Sequence, residues 1–187
     1  MKKIALMIAQ IVFTLLLFTY CLSAQDFTEN IITKSNRWIT PLFIDFDDDG
    51  DMDVVSVSKG GDIAWWENIN DTGYTKHLIV STNLTWRHFD VSDFDADGDM
   101  DIVALEINNL YIYYNDGSNN FTEIYNGFNF NSTNVITGNF DSDSDIEFIT
   151  SEGNNNGRLR LWNRQSNNFF QATLLDNIRV FSVGSLI

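Results

Sequence analysis

Acidic residues recur in strict alternation at three places along the chain. The first stretch is Asp45-Phe46-Asp47-Asp48-Asp49-Gly50-Asp51-Met52-Asp53-Val54-Val55. The second is Asp93-Phe94-Asp95-Ala96-Asp97-Gly98-Asp99-Met100-Asp101-Ile102-Val103. The third is Asn139-Phe140-Asp141-Ser142-Asp143-Ser144-Asp145-Ile146-Glu147-Phe148-Ile149. Carboxylates at alternate positions of a tight loop point to its inside, where they repel one another unless a cation joins them. Ca2+ is a hard cation that takes six to eight oxygens at about 2.3–2.6 Å. In the first loop its side-chain ligands would be Asp45, Asp47, Asp49 and Asp53, with the carbonyl of Asp51. In the second they would be Asp93, Asp95, Asp97 and Asp101, with the carbonyl of Asp99. Gly50 and Gly98 fall where the loop turns sharply, a place for positive φ. Asp48 and Ala96 fall at an outward position, and the side chains of Asp51 and Asp99 are expected to face solvent.

The third loop departs from this pattern. Its donors would be Asn139, Asp141, Asp143, Asp145 and Glu147. Asn139 can offer only an amide oxygen, Ser144 replaces the glycine, and Glu147 reaches further than an aspartate. A weaker site is expected there. Mg2+ fits all three loops less well, because it rarely takes an all-protein cage. A helix-flanked calcium loop is excluded. It needs a bidentate Glu at position twelve, and that position holds Ser56, Ala104 and Thr150. The closing acid sits at position nine instead.

Other chemistry finds less support. His77 and His88 are the only histidines. No Ser/His/Asp pattern, no Gly-x-Ser-x-Gly and no His-rich motif accompanies them, so a structural role is expected for both. A glycosidase-type carboxylate pair is formally available, but the loop acids are better explained as ligands. No catalytic residue is assigned. Trp65, Trp66, Trp162, Tyr113 and Tyr114 could stack on sugar rings, but packing between strands and sheets is the better reading. Alternate residues of a strand face opposite ways, so Trp65 and Trp66 should enter two different interfaces. Asn83-Leu84-Thr85 and Asn120-Phe121-Thr122 match the glycosylation sequon, a weak signal in an Asn-rich chain.

The elements that position the loops repeat as well. From Asp45 to Asp93 is 48 residues, and from Asp93 to Asn139 is 46. Ile63-Ala64-Trp65-Trp66-Glu67-Asn68 matches Leu110-Tyr111-Ile112-Tyr113-Tyr114-Asn115, and both match Leu159-Arg160-Leu161-Trp162-Asn163. Each unit reads as four short strands, bounded by Asn, Asp, Gly and Ser clusters. In the middle unit these are Trp86–Val91, Asp101–Glu106, Tyr111–Tyr114 and Thr122–Tyr125. Asn154-Asn155-Asn156-Gly157 reads as a hairpin turn.

Units of about 40–50 residues with four strands each are propeller blades. The fold class is therefore all-β: a β-propeller of four-stranded antiparallel blades, about three blades plus a partial fourth, an incomplete ring. The blades lie near residues 37–80, 86–127 and 134–176. Residues 26–33 read as an outer strand with no blade before it, and residues 179–187 as a stub of a fourth blade. Closed propellers typically have 4–8 blades. Two readings follow: a piece of a longer protein, or a half-propeller that closes by self-association.

Residues 1–24 read as a secretory signal peptide. Lys2-Lys3 is a basic start, Ile4 to Phe18 a short apolar core, and Ser23-Ala24 a cut site before Gln25. The apolar run is short for a membrane-spanning helix, and Tyr20 is a poor residue before a lipidated cysteine. Cleavage after Ala24 removes the only cysteine, Cys21, so no disulfide staples the exported chain. The expected location is extracellular or at the cell surface, with no membrane contact after cleavage.

From Gln25 onward 9 bases face 26 acids, a net charge of −17. That argues against nucleic acid, whose binding rests on Lys and Arg neutralising phosphates. Disorder is excluded by 44% hydrophobic and 14% aromatic content.

The Asp-Phe-Asp-x-Asp-Gly-Asp-Met-Asp loops, followed by Ile63-Ala64-Trp65-Trp66-Glu67-Asn68 and Lys76-His77-Leu78-Ile79, resemble FG-GAP/VCBS repeats, the calcium-binding blades of integrin-α-like propellers. The resemblance covers residues 26–187. It is close at loops one and two and degenerate at loop three. It implies an extracellular β-propeller in which Ca2+ braces the turn between the first two strands of a blade. It also implies propeller faces left free for protein or glycan ligands, as in cell adhesion. The repeat also occurs as an accessory domain of secreted enzymes. An N-terminal accessory propeller of a polysaccharide-degrading enzyme, with its catalytic part beyond Ile187, is therefore the second expectation.

Overall fold

The computed structural model describes residues 29, 31–34, 37–70, 73–126, 131–153, 157–165 and 170–176. The chain divides into two units, Met1–Ile31 and Ile32–Ile187. Of the first, only residues 29 and 31 are described. The expected signal peptide, residues 1–24, and the expected stub, residues 179–187, lie outside the described residues, as do Asn154–Asn156 of the expected hairpin turn.

The second unit is built of twelve strands. They are β1 (Trp38–Ile44), β2 (Asp53–Ser58), β3 (Asp62–Asn68), β4 (Tyr74–Ser81), β5 (His88–Ser92), β6 (Asp101–Leu105), β7 (Leu110–Asn115), β8 (Phe121–Asn126), β9 (Ser132–Gly138), β10 (Glu147–Glu152), β11 (Leu159–Arg164) and β12 (Phe170–Asp176). They form three four-stranded antiparallel sheets, β1 to β4, β5 to β8 and β9 to β12, each in sequence order. Among the described residues there is no helix and no closed ring. The expected outer strand over residues 26–33 does not form at 29 and 31–33. Residues 26–28 and 30 of that stretch lie outside the described residues.

Register fixes which side chains share a face. Val54 pairs with Trp66 and Val55 with Trp65 in the first sheet; Ile102 pairs with Tyr113 and Val103 with Ile112 in the second. Directly paired residues point to the same side of a sheet. Each blade therefore has a front face, toward the blade before it in sequence, and a back face, toward the blade after it. The back of blade one (Val55, Val57, Ile63, Trp65) and the front of blade two (Trp86, Phe89, Ile102, Tyr113) form one core. The back of blade two (Val103, Leu105, Leu110, Ile112) and the front of blade three (Val135, Phe148, Trp162) form the next. Trp65 and Trp66 do enter different interfaces: Trp66 lies on the front of blade one with Val54 and Ala64, against Trp38 and Ile32.

β2 and β6 are buried along their whole length. Both of their faces are covered by a neighbouring sheet or loop. After Asp101, β6 is an unbroken apolar run, whereas β2 carries the buried Ser56 and Ser58, whose hydroxyls are satisfied by the Ile39 carbonyl and the Asp62 N–H. Polar contacts reinforce the second interface. One Asp90 carboxylate oxygen accepts bonds from the Thr137 N–H at 2.7 Å and the Thr137 hydroxyl at 3.0 Å. Arg87 donates to the Asn131 side chain at 3.0 Å.

Candidate metal centres

Each acidic loop joins the first two strands of its blade: 45–52 between β1 and β2, 93–100 between β5 and β6, and 139–146 between β9 and β10. The last acid of each loop opens the second strand and is pulled inside. Asp53 and Asp101 are fully buried and Glu147 is nearly so.

These closing acids are anchored by the main chain. The two carboxylate oxygens of Asp53 accept the N–H of Phe46 at 3.0 Å and of Asn68 at 2.7 Å. Those of Asp101 accept the N–H of Phe94 and of Asn115, both at 2.8 Å. Glu147 accepts the N–H of Phe140 at 2.8 Å. The closing acid thus ties the start of the loop, and in blades one and two also the end of the third strand, to the second strand. A carboxylate has about four acceptor sites, so two N–H bonds leave lone pairs for a cation.

The opening acid shapes the turn. Asp45 accepts the N–H of Asp49 at 3.1 Å and of Gly50 at 3.0 Å. Asp93 does the same for Asp97 and Gly98, at 3.1 and 3.0 Å. Gly50 and Gly98 have φ of 95° and 101°, as the turn requires. Asp48 and Ala96 are left-handed too, at 59° and 61°.

Three carboxylates converge in each loop. One oxygen from each of Asp45, Asp47 and Asp53 lies within 4.8 Å of the others. The same holds for Asp93, Asp95 and Asp101, and for Asp141, Asp143 and Glu147. Asp49 and Asp97 stand outside these groups: their side chains accept the N–H of Asp51 at 2.8 Å and of Asp99 at 3.0 Å. Asp51 and Asp99 contribute no carboxylate to the groups, nor does Asp145. The Asp99 carboxyl instead lies against Gly117, where an added Cβ would come within 2.4 Å of it. In loop three the Asn139 amide donates to the Asp143 carbonyl. The Asn139 side chain has no counterpart of the two N–H bonds that Asp45 and Asp93 accept, and no residue of 139–147 has positive φ.

The electrostatics match a site waiting for positive charge. Burial pushes the Asp101 carboxyl up to about 7, against the pull of its two N–H partners and with help from Asp95 and Asp97. Asp53 and Glu147 are raised for the same first reason, desolvation, with nearby carboxylates adding to it. Asp47 is raised by desolvation and by the charges of Asp53 and Asp49, and Asp95 by desolvation and by Asp97. All donors are oxygens, and three of them lie within 4.8 Å of one another in each loop, the Arg164 charge offsetting part of the repulsion at Asp95. This set suits a hard divalent cation and is wrong for a soft one.

The aromatic and histidine residues pack. Trp65, Trp66, Tyr113 and Trp162 are almost wholly buried, and Tyr114 nearly so. His77 stacks on Trp65 with ring centres 4.5 Å apart, and its Nε2 meets Glu67 at 2.7 Å. Burial lowers the His88 pKa.

Two overlapping segments, residues 45–104 and 93–150, match the model of the FG-GAP-like repeat. No curated protein matches the chain. Each matched segment opens at the first acid of a loop, runs through the rest of its blade, and ends in the second strand of the next. With more than half of its length matched, and with a converging group of three carboxylates between the first two strands of each four-stranded sheet, the chain belongs to the FG-GAP-like repeat family.

Proposed function

We propose that the protein is a secreted calcium-binding β-propeller repeat module that binds a protein or glycan outside the cell, as in adhesion. The observation that carries the calcium reading is the convergence of three carboxylates in each loop. Ca2+ would be held by Asp45, Asp47 and Asp53 in loop one, and by Asp93, Asp95 and Asp101 in loop two. Asp49, Asp97 and the carbonyls of Asp51 and Asp99 are close enough in sequence to complete the shell. Asp141, Asp143 and Glu147 would form a weaker third site, because Asn139 neither shapes the turn nor brings a charge. Bound Ca2+ supplies positive charge that neutralises the converging acids. The chain supplies a rigid cradle, because the closing acid is already fixed by main-chain N–H groups.

The repeat family is a non-catalytic module, and no residue constellation of this chain is assigned a reaction. Export is supported by the basic, apolar and small-residue succession over residues 1–24. An extracellular setting, where Ca2+ is plentiful, agrees with sites of modest affinity. The high negative charge makes nucleic acid an unsuitable partner.

Calorimetric titration of the metal-stripped protein tests the reading. Two comparable sites and one weaker site are expected for Ca2+, with Mg2+ failing to compete at equal concentration. Absence of any Ca2+ binding would end it.

A further inference from the structure

The aromatic residue of loops one and two plugs the next blade. Phe46 stacks toward Phe121 of blade two, with centres 6.4 Å apart, and Phe94 meets Phe170 of blade three edge-on at 6.3 Å. A different side chain stands beside the acids. Ile102 pairs with Tyr113 across β6 and β7. Asp101 and Tyr114, one step along from that pair, therefore face one another on the back of blade two. The same step from Val54 and Trp66 puts Glu67 opposite Asp53. From Phe148 and Trp162 it puts Asn163 opposite Glu147.

Each of these three side chains acts on its own loop. Desolvation raises the Asp47 pKa, and the Glu67 charge adds to it after those of Asp53 and Asp49. The Asn163 amide donates to the Asp141 carboxylate at 3.1 Å. Tyr114 is 8% exposed, and its hydroxyl is buried with no hydrogen-bond partner among the described residues. Burial raises its pKa, the Arg164 charge opposes that, and the charges of Asp101 and Asp95 add to it. The hydroxyl is thus turned to the acids of loop two without bonding to any of them. A buried polar atom left without a partner is destabilising. Phe would fill the same space better unless the hydroxyl serves something that binds there.

We infer that the residue opposite the closing acid tunes each cation centre, and that at loop two the Tyr114 hydroxyl bonds into the oxygen shell of the bound Ca2+. Three carboxylates leave room in a shell of six to eight oxygens, and a hydroxyl can both donate to it and accept from it. At loop one Glu67 adds a fourth negative charge, with His77 on one of its oxygens at 2.7 Å. At loop three Asn163 adds no charge, and its amide is already engaged with Asp141. Loop one should therefore bind Ca2+ tightest, loop two a few-fold less tightly, and loop three least. The inference rests on the calcium reading proposed above.

Calcium titration and thermal melts in chelator, both on the metal-stripped full chain, test it. Tyr114→Phe keeps the ring and removes the hydroxyl. In an Asp47→Ala background, which silences loop one, it should weaken the tighter remaining site by about two- to tenfold, the worth of one hydrogen bond. In an Asp95→Ala background, which silences loop two, calcium affinity should not respond to it. In chelator its melting temperature should be no lower than that of the unsubstituted chain, because the atom removed has no partner. Glu67→Gln, on a partly exposed side chain, should show the opposite dependence on background, and it serves if Tyr114→Phe misfolds. Calcium affinity unchanged by both substitutions, with binding intact, overturns the inference and leaves the calcium reading standing. A Tyr114→Phe melting temperature lowered as much in chelator as in Ca2+ makes the hydroxyl structural and overturns its role. An unsubstituted chain that takes up no Ca2+ ends the calcium reading and this inference with it.

Discussion

Phe94 and Phe170 meet edge-on, their ring centres 6.3 Å apart and their planes at 84°. One belongs to the second acidic loop, the other to the outer strand of the next blade. The N–H of Phe94 is meanwhile held by Asp101, the buried acid that closes the loop. The residue that plugs the next blade is therefore fixed by the residue that closes the candidate metal centre. Order in the loop and stacking of the blades are one mechanical unit.

Removing that plug should be costly. Phe94 is 1% exposed, and truncating a buried Phe to Ala typically costs about 3–5 kcal/mol. Phe94→Ala should lower the unfolding free energy by that amount in metal-free buffer. Its metal response should also be blunted, because the Asp101 anchor point moves with the loop. Chemical denaturation with and without Ca2+ measures both effects.

The closing acid has a structural role that metal cannot supply. Asp101→Ala leaves the N–H groups of Phe94 and Asn115 buried without partners, at about 1–3 kcal/mol for each unsatisfied group. Asp101→Asn keeps one acceptor oxygen and should fall between the unsubstituted chain and the alanine variant. The order should hold in chelator. Equal stability of all three in chelator would show that the N–H bonds contribute nothing.

The pH dependence of the metal-stripped protein should run against the usual expectation for carboxylates. Asp101 is held near 7 in the folded chain, well above the unfolded value of about 4. Asp47, Asp53, Asp95 and Glu147 are raised as well. Between those two pH values the folded state binds more protons than the unfolded one, so stability falls as pH rises. The metal-free melting temperature should be higher at pH 5 than at pH 8. Saturating Ca2+ should reverse the order, because it binds the ionised form. A metal-free melting temperature that climbs from pH 5 to pH 8 would contradict the assignment.

The turn glycine should matter through the backbone alone. At Gly98 φ is 101° and nothing lies within 4 Å of an added Cβ. Gly98→Ala therefore meets no clash, and its cost of about 1–2 kcal/mol comes from a conformation that L-residues avoid. Thermal melting of the variant should show that loss, and a fully retained melting temperature would show that the turn can rearrange.

Much of this was legible from periodicity. The repeat of Asp-Phe-Asp-x-Asp-Gly-Asp loops at 46 to 48 residues, with four strand-like runs between them, identified the blades. Alternation along a strand placed Trp65 and Trp66 on opposite faces. The left-handed glycines follow from their place in the turn. What alternation could not show is which distant main-chain group a side chain meets. Asp53 bonding to Asn68, 15 residues away, is a tertiary contact with no local pattern. The one available signal was the Asn that ends the third strand in units one and two, Asn68 and Asn115. Asp49 and Asp97 sit at alternate positions like their neighbours, yet they accept local N–H bonds and stay out of the converging groups. Ala96 carries no side-chain signal of its left-handed backbone. The plugging role of Phe46 and Phe94 was masked by the acids around them.

The most direct test is a thermal melt followed by circular dichroism, in millimolar Ca2+ and then in chelator, for the unsubstituted chain and for the Asp47→Ala, Asp95→Ala double variant. A ligand that binds only the folded state stabilises by about 2.7 kcal/mol at one hundred times its Kd. A β spectrum with a melting temperature raised by Ca2+ is expected for the unsubstituted chain, and most of that rise should be lost in the double variant. An unsubstituted chain whose melting ignores Ca2+, or a double variant that keeps the full rise, would contradict it.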